Sequence, residues 1–215
     1  MNANKDRIVD ELMRLYPDAR PELHFEDPYQ TLVATILAAQ CTDARVNQVT
    51  PAVFRDFPTP ADMARTTPEI LFPYVRSCGF KSKAANIVNA CRMIVEKHGG
   101  QVPDTMEELT ALPGVGRKTA SVVLCFAFGI PAFPVDTHVY RLTHRLQLVE
   151  AEDNTPDKVD RRMRSLLPEE AWGTMHHCLI LHGRRVCHSQ KPDCAQCTLS
   201  AWCPSRQGPV NISKV

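Results

Sequence analysis

The sequence predicts an all-α fold, and three observations carry that expectation. Apolar residues recur at spacings of three and four along most segments, the apolar/polar alternation of a strand is nowhere sustained, and the segment boundaries carry the chemistry of helix ends. In chain order, RIVDELMRLY (7–16) aligns Ile8, Leu12 and Leu15 on one face. TLVATILAAQ (31–40) is an uncharged, apolar-rich stretch that ends on polar Gln40. TPAD (59–62), TTPEI (66–70) and VPDTMEEL (102–109) supply N-cap residues followed by early proline or acid. AANIVNACRMIVEKHGG (84–100) repeats apolar residues at helical spacing and closes on Gly99-Gly100. SVVLCFAF (121–128) reads as a buried helix, and GIPAFPV (129–135) is the clearest internal break and a candidate domain crossing. VDTHVYRL (135–142) and DKVDRRMRSLL (157–167) complete the helical patterns.

With 215 residues and 44% hydrophobic content the chain can bury a full core. Its first twenty residues form a charged amphipathic pattern without an apolar signal region, which leads to the expectation of a cytoplasmic, nucleoid-associated protein. The apolar stretches are too short or too broken to span a bilayer. A net charge of +1 argues against indiscriminate coating of nucleic acid, but the charge is uneven. Residues 111–149 carry four Lys/Arg against one acid and residues 176–215 carry five against one, leaving sixteen basic and twenty-two acidic residues elsewhere. Two positive segments on an otherwise acidic protein are the footprint of a local polyanion-binding face, with DNA the obvious candidate, or of two solvated basic surfaces.

Three motifs carry chemistry. In LPGVGRKTA (112–120), glycines flank Val115, so a tight turn can expose backbone N–H groups at the start of the next helix, where a phosphate binds well. Lys118 falls in that helix's first turn, an unfavourable place for a cation, so a role beyond surface solvation is expected. In VDTHVYRL, Asp136 is placed to cap a helix, and a carboxylate there can also stabilise developing positive charge. His138 is expected to pack or hydrogen-bond locally. Finally, Cys187, Cys194, Cys197 and Cys203 follow C-x6-C-x2-C-x5-C within one loop. Zinc sites more often show two C-x2-C pairs, so four thiolates in this pattern suit an iron–sulfur cluster better. Lys191 lies inside the same loop, and Cys41, Cys78, Cys91, Cys125 and Cys178 read as core residues.

These motifs, with LILHGR (179–184), resemble the endonuclease III family of helix-hairpin-helix DNA glycosylases over most of the chain. The resemblance implies a two-lobed fold: a six-helix lobe at about 22–133 bearing the hairpin, and a lobe of 1–21 with 134–215 holding a 4Fe–4S cluster on the four cysteines, with the active site between. It implies a monomeric enzyme that removes oxidised pyrimidines from damaged double-stranded DNA and nicks the abasic site. Lys118 would form the Schiff base and Asp136 would assist. DNA would meet Leu112, Gly114, Val115, Gly116 and Arg117 of the hairpin, Thr137 and His138, and Lys191. Gln40 matches the residue inserted where the base flips out. In CGFKSKAANI (78–87) the second wedge loop is one residue shorter than is common in the family, and Phe80 takes the wedge position. Three other readings stand beside this one: a monofunctional glycosylase of the superfamily, which lacks such a lysine; a non-catalytic hairpin DNA-binding module; and an iron–sulfur electron carrier.

Overall fold

Short side chains set most of the helix starts. The chain was analysed as a computed structural model, which describes residues 3–206. It holds eleven α-helices among them: α1 (Ala3–Leu15), α2 (Pro28–Ala38), α3 (Asp43–Asp56), α4 (Pro60–Arg65), α5 (Pro68–Val75), α6 (Lys81–His98), α7 (Met106–Ala111), α8 (Arg117–Ala127), α9 (Thr137–Arg145), α10 (Pro156–Leu166) and α11 (Trp172–Arg185). Short 3-10 turns occur at Arg76–Cys78, Glu169–Ala171 and Thr198–Ala201. The side chains of Asp27, Thr42, Thr59, Thr67, Thr105, Asp136 and Thr155 each accept from the backbone N–H three residues on, filling a donor the helix leaves unpaired. No strand occurs among the described residues, and no described helix is long and apolar enough to cross a membrane.

The chain divides into two compact units, and the division falls at Ile130 and Pro131, inside the proline-rich break. The unit Pro21–Ile130 is built around α2, which is buried on all sides through Tyr29, Leu32, Val33, Ala34, Ile36 and Leu37. A helix apolar all round must be enclosed, and α3, α6 and α8 pack against it. Helices α4 and α5 lie on α6, and α7 lies on α8. This unit has seven α-helices where six were expected, two of them, α4 and α7, being six-residue helices started by Thr59-Pro60 and Thr105.

The other unit joins residues up to Arg20 with those from Pro131 onward. Helix α1 supplies Ile8 and Leu12 to a core completed by Phe133, Val139, Leu142, Val159, Met163, Met175 and Leu179. Helix α11 packs on both α9 and α1. Gly183 lets it approach α9 closely, since a Cβ there would come within 2.9 Å of His138 Nδ1 and 3.0 Å of an Arg141 nitrogen.

Candidate functional site

The hairpin joins α7 to α8 through a turn closed by Val115 N donating to Leu112 O at 3.1 Å. Its two glycines differ in kind. Gly114 has φ +77°, and a Cβ on it would sit 2.7 Å from Asn86 Cβ on α6, so both backbone and space demand glycine. Gly116 has φ −90° with nothing within 4 Å of a Cβ, and it starts α8 with no side-chain cap. What Gly116 leaves open is the backbone N–H end of α8, which carries partial positive charge. Leu112 and Val115 are buried, so the hairpin residues among these that can offer a ligand more than backbone are Arg117 and Lys118, both exposed in the first turn.

Asp136 caps α9, its Oδ1 accepting from Val139 N at 2.8 Å. Thr137 is exposed and His138 partly buried. Burial, aided by the Arg141 and Arg184 guanidinium groups, outweighs the Asp136 carboxylate and holds the His138 imidazole below its usual range. An Arg141 nitrogen lies 3.1 Å from His138 Nδ1, and because guanidinium only donates, Nδ1 is the accepting nitrogen. The same Arg141 nitrogen donates to Gly183 O at 3.1 Å and Cys187 O at 3.0 Å, fixing the end of α11 and the start of the cysteine loop.

Cys187, Cys194, Cys197 and Cys203 line one cavity together with Arg145 and His182. Among the described residues no three His, Cys, Asp or Glu side chains converge as a single metal ion would require. Arg145 lies 3.4 Å from Cys187 Sγ and donates to His188 O at 2.6 Å and Ser189 O at 2.7 Å. Buried His182 reaches Tyr16 Oη at 3.0 Å through Nδ1 and Cys197 Sγ at 3.5 Å through Nε2. Burial pushes the Cys197 thiol up to about 11. Lys191 is exposed in this loop with φ 50°.

Gln40 is exposed with φ 57°, directly after α2, and Phe80 is 66% exposed directly before α6. Of the five other cysteines, Cys78, Cys91 and Cys178 are buried, while Cys41 and Cys125 are partly exposed, each lying where its helix or turn meets the surface. Sequence reasoning missed Lys83, Arg141, Arg145, His182 and Gly183 as site-shaping residues. LHGR carries the signal for two of them, a glycine and a histidine in an otherwise apolar helical run.

The chain matches the HhH-GPD superfamily of base excision DNA repair proteins over residues 33–169. It is 47% identical over 212 residues to endonuclease III of a Synechocystis species, covering 96% of both chains. The chain belongs to the endonuclease III family. It is a base excision repair enzyme, a DNA glycosylase that is also an abasic-site lyase. Among solved endonuclease III structures, a trapped covalent intermediate with DNA superposes with a TM-score of 0.87 at 41% identity, covering 94% of this chain and 96% of that one. A non-covalent endonuclease III–DNA complex superposes with a TM-score of 0.88 at 40% identity, covering 95% and 97%.

The two glycines generate a paired prediction. Gly114→Ala should lower stability by about 1–3 kcal/mol through left-handed strain and overlap with Asn86. Gly116→Ala should leave the melting temperature near the parent value while weakening binding to undamaged duplex, as read by fluorescence anisotropy. Equal melting temperatures for the two variants would contradict this assignment.

Proposed function

We propose that the protein excises oxidised pyrimidines from damaged double-stranded DNA with Lys118 as nucleophile and Asp136 as the assisting carboxylate. The observation that carries the reading is an exposed lysine in the first turn of α8, behind an uncapped Gly116 and a Gly114 turn held against α6. A neutral primary amine attacks the sugar C1′ as the bond from C1′ to the base breaks. The base leaves with that electron pair and takes up a proton. The nitrogen now bonded to C1′ gives up a proton, and the C1′–O4′ bond opens with O4′ taking up a proton, leaving a protonated imine. This makes the C2′ proton acidic, and its loss expels the 3′ phosphate, nicking the strand. Asp136 stabilises positive charge developing at the sugar. One oxygen suffices for the cap, so capping α9 and serving catalysis are compatible.

The grip on DNA is through its backbone. The N–H groups of Gly114 and Gly116 and the positive start of α8 meet a phosphate, while Leu112 and Val115 spend their own N–H groups on Leu109 O and Leu112 O and anchor the turn through side chains in the core. Arg117 extends this contact, and Thr137, His138 and Lys191 of the other unit supply further DNA contacts. Gln40 fills the gap left by an extruded base, and exposed Phe80 reaches it from the second loop.

Cys187, Cys194, Cys197 and Cys203 would hold a 4Fe–4S cluster. Four cysteines of one loop that line one cavity in a C-x6-C-x2-C-x5-C spacing suit a multi-iron group better than a zinc site built of two C-x2-C pairs. Bound there, the cluster supplies metal–thiolate bonds that order a polar loop and so present Lys191. Arg145 orients the same loop through the His188 and Ser189 carbonyls.

Lys118→Gln should abolish borohydride trapping on an abasic duplex and cut nicking by about 10³-fold or more while specific binding survives. Asp136→Asn, which still caps, should lose about 10²-fold in excision with little change in melting temperature, whereas Asp136→Ala should also lose about 1 kcal/mol of stability. Near-normal excision by Asp136→Asn would return this residue to capping alone. For the loop, the purified protein should be brown with iron and sulfide, and Cys197→Ser should lower iron content, solubility and DNA affinity together. Stoichiometric zinc in a colourless protein would contradict the cluster.

A further inference from the structure

Lys83, the third residue of α6, is 7% exposed, and its ammonium donates to Leu37 O at 2.8 Å and Cys78 O at 2.6 Å. A buried ammonium is costly unless its donors are satisfied, and the start of a helix is the wrong end for a cation. Both costs are offset by where the two carbonyls lie. Leu37 O belongs to the last turn of α2 and Cys78 O closes the 3-10 turn Arg76–Cys78, so each is a helix-end acceptor carrying partial negative charge. Lys83 thus joins the ends of two elements that meet only through the fold. Beyond one end lies Gln40, in a left-handed conformation, and beyond the other Gly79, with φ +115° and ψ −130°, then Phe80. A Cβ at Gly79 would be 3.8 Å from Lys83 Nζ, so the ammonium also lies against the backbone that leads to Phe80.

We propose that Lys83 is a positioning residue for base excision, holding the Gln40 turn and the Phe80 loop in fixed register from within the core. The proposal rests on the reading that Gln40 and Phe80 engage the gap of an extruded base. Abasic-site nicking requires no damaged base to be displaced, so loosening the two turns falls mainly on base release.

The test is a cycle of Lys83→Met, Gln40→Ala/Phe80→Ala and the combined variant, each measured for single-turnover release of thymine glycol from duplex, nicking of a preformed abasic duplex, and melting temperature. Lys83→Met should slow base release by about tenfold or more, the scale of a misplaced contact, and nicking by less than about threefold. In the Gln40→Ala/Phe80→Ala background it should cost less than about twofold further, because residues acting as a unit are not additive. Equal losses in both reactions, or full additivity, would assign Lys83 to the fold alone and overturn the proposal. If Lys83→Met does not fold, Lys83→Arg, which keeps the cation but shifts its donors, is read in the same cycle against the same outcomes. Unaltered base release by Gln40→Ala/Phe80→Ala overturns the underlying reading of the two loops. Impaired release there with unaltered release by Lys83→Met overturns the positioning role and leaves that reading standing.

Discussion

There is no room for a side chain at Gly114, and the unit Pro21–Ile130 is organised around that fact. The left-handed turn brings the hairpin backbone against Asn86 of α6, closer than any Cβ allows. This contact fixes where α8 begins and hence where Arg117 and Lys118 emerge. Three residues before Asn86 on the same helix, Lys83 binds the ends of α2 and of the 3-10 turn that lead to Gln40 and Phe80. Residues three apart share a helix face, so one face of α6 positions the hairpin turn, the start of α8 that bears Lys118, and both loops proposed for the extruded-base gap. Small shifts in α6 would be felt at all of them.

Helix termini recur as the places where chemistry is put. Threonine or aspartate closes the N-terminal donors of seven helices, satisfying them internally. Helix α8 begins at Gly116 with no side-chain partner, as α6 and α11 also begin without one, and its positive end is the one proposed to meet a phosphate. At Asp136 the capping side chain is itself the proposed participant, held in one orientation by Val139 N. At the other polarity, Lys83 satisfies C-terminal carbonyls, and Arg141 and Arg145 satisfy those around Gly183 to Ser189. Cations placed at helix C-termini and loop carbonyls stabilise them without needing a carboxylate.

Residues whose chemistry depends on type and local spacing were legible in sequence. Lys118 beside a Gly-x-Gly turn, Asp136 before a helical pattern and four cysteines in one loop needed no tertiary contact to be noticed. The all-helical architecture was legible for the same reason, because apolar periodicity and threonine caps are local signals. Roles made by distant partners were not. Lys83 meets Leu37 across 46 positions and Arg145 meets His188 across 43, and nothing in either neighbourhood marks the partner. The two hairpin glycines look alike in sequence, yet one is required by φ and by Asn86 while the other has an ordinary φ and open space around it. Leu112 and Val115, expected from sequence to meet DNA, have side chains buried in the core and N–H groups bonded within the turn, which no local pattern signalled.

The account stands on the amine of Lys118 forming the covalent link to DNA. Peptide mapping by mass spectrometry of the borohydride-reduced adduct between the wild-type protein and an abasic duplex tests this directly. The modified lysine should lie in the peptide that begins after Arg117, with the deoxyribose mass on Lys118 itself. An adduct carried by any other amine, or none at all from a protein that still nicks the duplex, would contradict it.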